Sequence, residues 1–302
     1  MTIFRHWRMA MIFTFFLFVN ASSFVAIRVA IVEFSPTHLA LLRFLVASGV
    51  LALCAPLCKI RFPQKRDWLV LAFTGFSGVF VYQTLLNWGQ QTVTAGSAAF
   101  LTSTAPVFTV ILAVLFLGEN LNARQKLGIG VSFGGAIVIA LGEQGGVSFS
   151  GGAILILIAA VASAVYIVLQ KHLLARYSPF ELTAYAFWLG TFMLLMFSSG
   201  LPSAIQNASV RANAAAIYLG IFPGALGNVI WALLVNKTTA SAAASWLYAV
   251  PLVSILIAWP VLREAPSTPA LVGGALALLG VAIMNVKTSN RKGAPRVLPT
   301  EK

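Results

Sequence analysis

Polar side chains recur inside long apolar segments of this sequence, at spacings that place them on one side of a helix. Asn20 and Ser23 are three residues apart, and Gln83 and Asn87 are four apart with Tyr82 beside them. Residues three or four apart share a helix face. In a membrane, such groups face the interior of a bundle or a wet cavity, so they can hydrogen-bond a small polar solute. The candidate cavity residues are Asn20, Ser23, Arg43, Tyr82, Gln83, Asn87, Thr102, Ser163, Tyr166, Asn228, Trp231, Trp246 and Tyr248.

The same side chains have a second use, which is to hydrogen-bond one helix to another. Such a contact contributes about 0.6 kcal/mol in membrane proteins. Serine and threonine fit this use readily, whereas large amphipathic rings away from the membrane interfaces require a polar partner or a ligand. The cavity interpretation is therefore favoured more strongly for Tyr82, Tyr166, Asn228, Trp231 and Trp246 than for the hydroxyl residues.

Arg43 is the one basic residue that falls well inside an apolar segment. An ionisable group at that depth indicates a functional site. Its guanidinium could bind a carboxylate or phosphate with two parallel hydrogen bonds, or it could bond backbone carbonyls and never meet a ligand. The acidic residues fall near segment ends or outside the segments, which argues against proton coupling through a central carboxylate; they are Glu33, Asp67, Glu119, Glu143, Glu181, Glu264 and Glu301.

The residues that would support an enzyme are dispersed. His6, His38 and His172 lie near segment ends, so no metal or general-base cluster forms from sequence neighbours. No phosphate-binding GxxxxGK[ST] motif occurs, so ATP is not implied. We therefore predict no metal, no cofactor and no enzymatic activity.

Two prolines interrupt apolar segments at equivalent places. Pro106 and Pro251 each lack a backbone donor and free the carbonyl four residues earlier, at Thr102 and Leu247. The result is either a static kink or a moving hinge, and the equivalent placement favours the hinge.

The composition places these residues in a lipid environment. Of 302 residues, 59% are hydrophobic and 9% are charged, compared with roughly 25% charged in soluble proteins. A helix needs about 20 residues to span the hydrocarbon core, and ten such segments can be drawn, although eight or nine remain an alternative. They are residues 9–27, 36–57, 67–87, 94–117, 124–141, 150–171, 179–200, 212–235, 240–262 and 268–286. Continuous apolar runs favour helices over strands, so we predict an all-α polytopic membrane protein with ten transmembrane helices.

The net charge of +13 comes from basic residues whose distribution among the loops predicts the orientation of the chain in the bilayer. With the N-terminus inside, the external loops hold Arg28, Arg211 and Arg263, Arg43 lies within a span, and the other 16 of 20 basic residues lie inside. Such an excess marks the cytoplasmic face. We predict a lipid bilayer as partner, no nucleic acid and both termini cytoplasmic. A cleaved signal peptide at the first span is the alternative, but its removal would leave nine helices.

The sequence repeats internally. Residues 95–140 align with 240–285 at a constant shift of 145, and the shift is 143 nearer the start of each half. The informative matches are Pro106 with Pro251, Glu119 with Glu264, Gly128 with Gly273, Gly135 with Gly280, Arg28 with Lys171, and Ser35-Pro36 with Ser178-Pro179. The predicted domains are residues 1–145, residues 146–287 and a disordered cytoplasmic tail, 288–302. Because five helices is an odd number, the second half is inverted, an arrangement that supports alternating access. A scaffold with no transport role is the alternative.

The fifth and tenth segments are rich in small residues, with the sequences LGIGVSFGGAIVIALG and LVGGALALLGVAIMN. Small residues allow helix backbones to approach closely. These segments therefore serve either helix packing within one chain or the interface of a homodimer.

The repeated stretch from Pro106 to Gly118-Glu119 and then Gly128 has a second copy from Pro251 to Glu264 and then Gly273. With NASSFVAIRVA and SPTHLALLRF near the start, the sequence over residues 9–286 resembles the EamA-type transporters of the drug/metabolite transporter superfamily. The second copy departs from the pattern, with Arg263 at the place of Gly118. Both glutamates fall at helix ends, where they could cap the following helix.

The resemblance implies a ten-helix inverted-repeat carrier, usually in the bacterial inner membrane, that exports amino acids, other metabolites or drugs. It also implies that helices 1, 3, 4, 6, 8 and 9 surround the cavity, in agreement with the polar residues above. The predicted function is therefore a secondary transporter that exports a small metabolite such as an amino acid. The alternatives are a lipid or sugar-nucleotide carrier and a non-transporting membrane assembly subunit.

Overall fold

The computed structural model describes residues 2–58, 60–117, 123–142, 151–237, 250–264 and 266–285. Every regular element in these ranges is helical and none is a strand, so the predicted all-α class is confirmed. Trp246, Tyr248, Glu119 and the predicted tail 288–302 lie outside the described residues.

The helices follow one another with short connections. In chain order they are α1 (Thr2–Ala30), α2 (Pro36–Cys54), α3 (Trp68–Gly75), α4 (Tyr82–Gly89), α5 (Ala95–Thr102), α6 (Ala105–Leu117), α7 (Ala123–Gly142), α8 (Gly151–Leu173), α9 (Pro179–Leu194), α10 (Leu201–Asn207), α11 (Val210–Leu219), α12 (Gly227–Lys237), α13 (Val250–Leu262) and α14 (Thr268–Asn285). Single 3₁₀ turns lie at Lys65–Asp67 and Leu195–Phe197.

In the described residues, six helical stretches are long and apolar enough to cross a membrane, and the chain is an integral membrane protein. They are Met11–Ala30, Pro36–Cys54, Lys65–Gly89, Gly151–Leu173, Pro179–Phe197 and Val210–Leu234. Val250–Leu262 and Thr268–Ile283 are apolar but shorter. The total of ten spans remains a prediction.

Serine-proline pairs start two of the long helices. The Ser35 hydroxyl accepts a hydrogen bond from the His38 amide at 3.2 Å and caps α2. Ser178 caps α9 in the same way, and the Glu181 carboxylate returns to the Ser178 amide at 2.8 Å. Such caps satisfy amide groups that the helix itself leaves unpaired. The proline that follows has no N–H group, and at this position an N–H group would have no partner within the helix.

The predicted span 94–117 is two helices. α5 ends at Thr102 and α6 begins at Ala105, with Pro106 as its second residue. Pro251 lies in α13, and the residues that precede Val250 lie outside the described residues, so an equivalent break there stays a prediction. The helix break at Pro106 is therefore present in the fold, while its movement remains a prediction.

Within the described ranges, two stretches of π-helix extend long helices, and in each a backbone amide donates to the carbonyl five residues earlier. The first π segment, Phe76–Val81, joins α3 to α4, and the Tyr82 amide bonds the Ser77 carbonyl. The second π segment, Gly220–Leu226, joins α11 to α12 and contains Pro223. Wide turns of this kind are rare and often lie at functional sites.

A glycine makes the contact that positions each π segment. A Cβ on Gly75 would lie 2.5 Å from the Ala186 carbonyl of α9, and one on Gly220 would lie 2.7 Å from the Arg43 carbonyl of α2. Because no larger residue fits these crossings, the helices containing the π segments lie directly against α9 and α2.

α2 and α9 themselves meet through residues related by the 143-residue shift. The rings of Phe44 and Phe187 pack edge to face at 4.9 Å between centroids. The hydroxyls of Ser48 and Thr191 are 2.8 Å apart.

α7 and α14 form the most extensive helix pair in the described part of the chain. A Cβ on Gly273 would lie 2.6 Å from the Gly135 carbonyl oxygen, and one on Gly280 would lie 2.5 Å from the Gly128 carbonyl oxygen. The glycine faces of the fifth and tenth segments are thus used for packing within one chain. A homodimer through these helices stays a prediction, and it would have to use their outward faces.

We expect Gly135→Ala to lower the midpoint of thermal unfolding in detergent. The added methyl group overlaps backbone atoms of Gly273 and Ala277, which cannot rotate away, and overpacking costs about 1–3 kcal/mol. Gly134→Ala is the matched control, because nothing lies within 4 Å of a Cβ at Gly134. Equal midpoints for the two variants would contradict the assigned packing.

Candidate functional site

Arg43 on α2 is the centre of the candidate site. The residue is 4% exposed. Its Nη1 donates to Gln83 Oε1 on α4 at 2.8 Å, and its Cζ lies 5.5 Å from the Phe44 ring centroid. The acceptor of Nη1 is a side-chain amide, and whether Arg43 meets a ligand stays a prediction.

The charge of Arg43 has no acidic partner in the part of the chain that the structure describes. The three ion pairs found there involve Arg28, Arg61 and Arg176. The Nε atom of Arg43 is buried with no hydrogen-bond partner. A buried charge is costly unless it is paired and hydrogen-bonded. Arg43 therefore has unused capacity for an anionic group.

Tyr82 and Tyr166 lie beside the first π segment. Tyr82 follows the segment directly and precedes Gln83, the acceptor for Arg43. The buried ring of Tyr166, on α8, lies directly against Gly78 inside the segment. The hydroxyl of Tyr166 accepts from Gln170 Nε2 at 3.2 Å, and Gln170 Oε1 is buried without a partner. Helices α2, α4 and α8 thus bring several predicted residues together around one π segment.

Asn87 connects helices and also keeps an unused acceptor. Its Nδ2 donates to the Pro36 carbonyl at 3.0 Å, which ties α4 to the start of α2. Its Oδ1 is buried with no partner. Gln90 is not among the predicted residues, but it behaves in the same way. Its Nε2 donates to the Phe24 carbonyl at 3.0 Å, and its Oε1 is buried with no partner.

Three predicted residues use their polar atoms within their own helix. The Ser23 hydroxyl donates to the Asn20 carbonyl at 2.6 Å, and the Thr102 hydroxyl donates to the Ala98 carbonyl at 2.9 Å. Asn228 Nδ2 donates to the carbonyls of Pro223 and Gly224 at 3.0 and 3.1 Å. Asn228 therefore supports the second π segment, and the hydroxyls satisfy their own helices.

Trp231 and Ser163 are two further predicted residues that the structure describes. Trp231 is half-buried and stacks on Phe16 of α1 with 5.6 Å between centroids. Ser163 is half-buried on α8. Trp246 and Tyr248 lie outside the described residues, so their place in the cavity stays a prediction.

An ion pair between distant parts of the chain was missed by the sequence analysis. Arg28 Nε lies 2.8 Å from Glu264 Oε1, and Arg28 Nη1 donates to the Gln90 and Gln91 carbonyls at 2.8 and 3.1 Å. Glu264 Oε2 accepts from the Ala95 amide at 3.2 Å. Glu264 thus caps α5 and not the helix that follows it, where Ser267 bonds the Ala270 amide. The signal in the sequence was opposite charge at the same predicted membrane end.

Two further ion pairs lie at the opposite, basic end. Arg61 binds Glu181 at 3.0 Å, and Arg176 binds Asp67 at 2.7 Å. The Tyr177 hydroxyl also donates to Asp67, at 2.8 Å. Among the described residues, no three His, Cys, Asp or Glu side chains are grouped so that they could hold a metal ion.

Comparisons with known proteins agree with a membrane carrier. The sequence model of the "EamA-like transporter family" matches residues 7–141 and again residues 150–286. A "Probable terminal-alkyne amino-acid exporter" from Streptantibioticus cattleyicolor is 40% identical over 272 residues, 90% of this chain and 91% of the relative. "Uncharacterized transporter YdfC" from Bacillus subtilis is 34% identical over 269 residues, 89% of this chain and 88% of the relative. A solved crystal structure with 19% sequence identity has a TM-score of 0.61 and covers 90% of this chain and 94% of its own, so the two share a fold.

We expect Gln83→Leu to destabilise the protein, because Arg43 then loses its hydrogen-bond acceptor while it remains buried. Breaking such an interaction costs about 1–3 kcal/mol, and more for a charged group. The double variant Arg43→Met with Gln83→Leu should unfold at a higher temperature than Gln83→Leu alone, since it leaves no unpaired charge. Gln91→Leu, at an exposed position, controls for the added apolar surface. A double variant no more stable than the single one would contradict the coupling.

Proposed function

We propose, on the premise that this chain belongs to the EamA-like transporter family, that it is a secondary transporter that exports amino acids across the bacterial inner membrane. One observation carries the substrate class. The relative that shares 40% identity over nine-tenths of the chain bears the name of an amino-acid exporter.

The proposed mechanism is alternating access by two inverted five-helix halves, residues 1–145 and 146–287. Contacts that recur at the shifts seen in the sequence support it. Phe44 meets Phe187 at the 143-residue shift. At the 145-residue shift, Gly128 corresponds to Gly273 and Gly135 corresponds to Gly280. The contact between Gly273 and Gly135 therefore has a symmetric copy, which is the contact between Gly128 and Gly280. Similar halves can exchange conformations and so open a central site to each side in turn.

The proposed place for the substrate carboxylate is the guanidinium of Arg43. Support comes from the burial of this charge, its lack of an acidic partner in the described residues and its unbonded Nε. Arginine binds carboxylates with paired, charge-assisted hydrogen bonds. Gln83 accepts from Nη1 and the buried Nε has no partner, so the guanidinium retains a hydrogen-bond donor for a ligand.

The amino group of the substrate requires an acceptor nearby. The buried, unpartnered Oδ1 of Asn87 is of that kind, one helical turn from Gln83 on α4. We propose that this oxygen receives the ammonium group while Arg43 holds the carboxylate.

The Arg28–Glu264 pair is proposed to close the cavity at the external end. It joins α1, the turn before α5 and the end of α13 through four hydrogen bonds. α1 packs against both α5 and α13. Separation of this pair would release α1 from them, and the π segments and Pro106 are the places where the bundle would bend.

A substrate series tests the carboxylate site without any substitution. In proteoliposomes, efflux of a neutral amino acid should exceed efflux of the corresponding amino-acid amide by about tenfold or more, since one charge-assisted interaction is worth about 1.5–3 kcal/mol. Equal efflux of the two would overturn the assignment of Arg43, and no efflux of any amino acid would overturn the proposed function.

The matching variant is Arg43→Met. We expect it to remove the preference for the carboxylate, because no cation remains in the cavity to bind it. Lys126→Met, at an exposed position on α7, is the control and should leave transport unchanged. Thermal unfolding of both variants separates loss of binding from loss of fold.

A second variant tests the external closure. In a Cys54→Ser, Cys58→Ser background, Ser23→Cys should react several times faster with a membrane-impermeant maleimide when Glu264→Gln is added, since the weakened pair opens the external end. Glu33→Gln is the control, because Glu33 bonds Ser209 at the start of α11 and forms no ion pair with an arginine in the described residues. Unchanged reactivity with Glu264→Gln would contradict a gating role for this pair.

A further inference from the structure

A groove of about 450 Å³ opens on the outer surface of the bundle, apart from the candidate transport site. It lies between the end of α2, the following loop, the start of α3 and one side of α9. Its lining residues are Ala55, Ile60, Phe62, Pro63, Trp68, Tyr185, Trp188, Leu189 and Phe192. We call it the basic-end groove, for the charges beside it.

The basic-end groove is open at the side of the bundle. Phe62 and Phe192 are 95% and 73% exposed at its edges, so a bilayer chain can reach it from the side. From Tyr185 to Phe192 the lining extends along α9 for roughly 10 Å, at 1.5 Å per residue. The groove therefore runs along a membrane-spanning helix, in the direction that lipid acyl chains take.

The loop that lines the groove also carries positive charge. Between the lining residues Ile60 and Trp68, the chain carries Arg61, Lys65 and Arg66, all of them exposed. Lys65 and Arg66 take part in no ion pair in the part of the chain that the structure describes.

The carboxylates near the groove already bind side chains of this protein. Asp67 binds Arg176 and Tyr177, and Glu181 binds Arg61. Positive charge at Lys65 and Arg66 is therefore left for a partner from outside the chain.

The loop that forms the groove is held in place by hydrogen bonds. The Gln64 amide donates to the Tyr177 hydroxyl at 3.0 Å, and the Tyr185 hydroxyl donates to the Arg61 carbonyl. The groove thus has its shape before a ligand arrives, as binding sites usually do.

We propose that the basic-end groove binds one anionic phospholipid, with an acyl chain along Trp68, Trp188 and Phe192 and the phosphate on Lys65 and Arg66. A hydrocarbon chain fits a groove that is apolar and open to the bilayer. Basic pockets beside transmembrane helices bind anionic headgroups, and each Lys or Arg near the membrane surface adds to the attraction. The site is independent of the transported solute.

Quenching of tryptophan fluorescence by brominated acyl chains tests this site. The wild-type protein is reconstituted in phosphatidylcholine vesicles that contain a small fraction of brominated phosphatidylglycerol or brominated phosphatidylcholine. We expect the phosphatidylglycerol to quench at a concentration at least about fivefold lower, because Lys65 and Arg66 hold its headgroup. Trp68→Phe with Trp188→Phe should remove this difference, since the selective signal arises in the groove. Equal quenching by the two lipids in the wild type would overturn the proposal.

The charge variant is Lys65→Gln with Arg66→Gln, and it should abolish the preference for phosphatidylglycerol. Arg124→Gln with Lys126→Gln is the matched control, because this pair is equally exposed at the start of α7. An equal loss of preference in both variants would overturn the proposal, since general surface charge would then account for the selectivity. Retained preference in the first variant would overturn the role of Lys65 and Arg66. Thermal unfolding and amino-acid efflux of each variant report separately on fold and transport.

Discussion

Close approach of helix backbones holds this bundle together. Lipid chains are as apolar as leucine, so burial of apolar side chains between helices gains little in a membrane, and packing between backbones has to supply the attraction. Gly135 and Gly280 allow α7 and α14 to meet along their length. Gly75 and Gly220 allow the two helices with π segments to cross α9 and α2. These four contacts join helices that carry polar side chains into the interior.

Polar groups in the interior need hydrogen-bond partners within the protein. Some find the partner in their own helix and others find it in a neighbouring helix. Ser23 and Asn228 bond carbonyls of their own helices, and Asn87 reaches the neighbouring helix. Arg43 is different, because the described residues offer it one neutral acceptor and no acid. The same physical rule that explains the other polar residues thus leaves this one with capacity for a ligand.

Charged side chains are concentrated at the two ends of the bundle, where helix termini leave backbone groups unpaired. At one end Glu264 joins Arg28 to the first amide of α5. At the other, Glu181 joins Arg61 to the cap of α9. Each carboxylate therefore bridges an arginine and a helix start, which fixes separate segments of the chain to one another.

Hydropathy and charge along the sequence determined that the chain is helical and lies in a membrane, because a backbone in lipid must bond within its own segment. They also identified Arg43 as an unusual charge and the glycine-rich segments as packing surfaces. The partner of Arg28 was decided only by the tertiary structure, since Glu264 is 236 residues away and no local pattern joins the two. The π segments also depend on the tertiary structure, because their wide turns occur where Gly75 and Gly220 meet carbonyls of other helices. Local sequence determines which groups need a partner, and the packing of helix faces determines which partner each group finds.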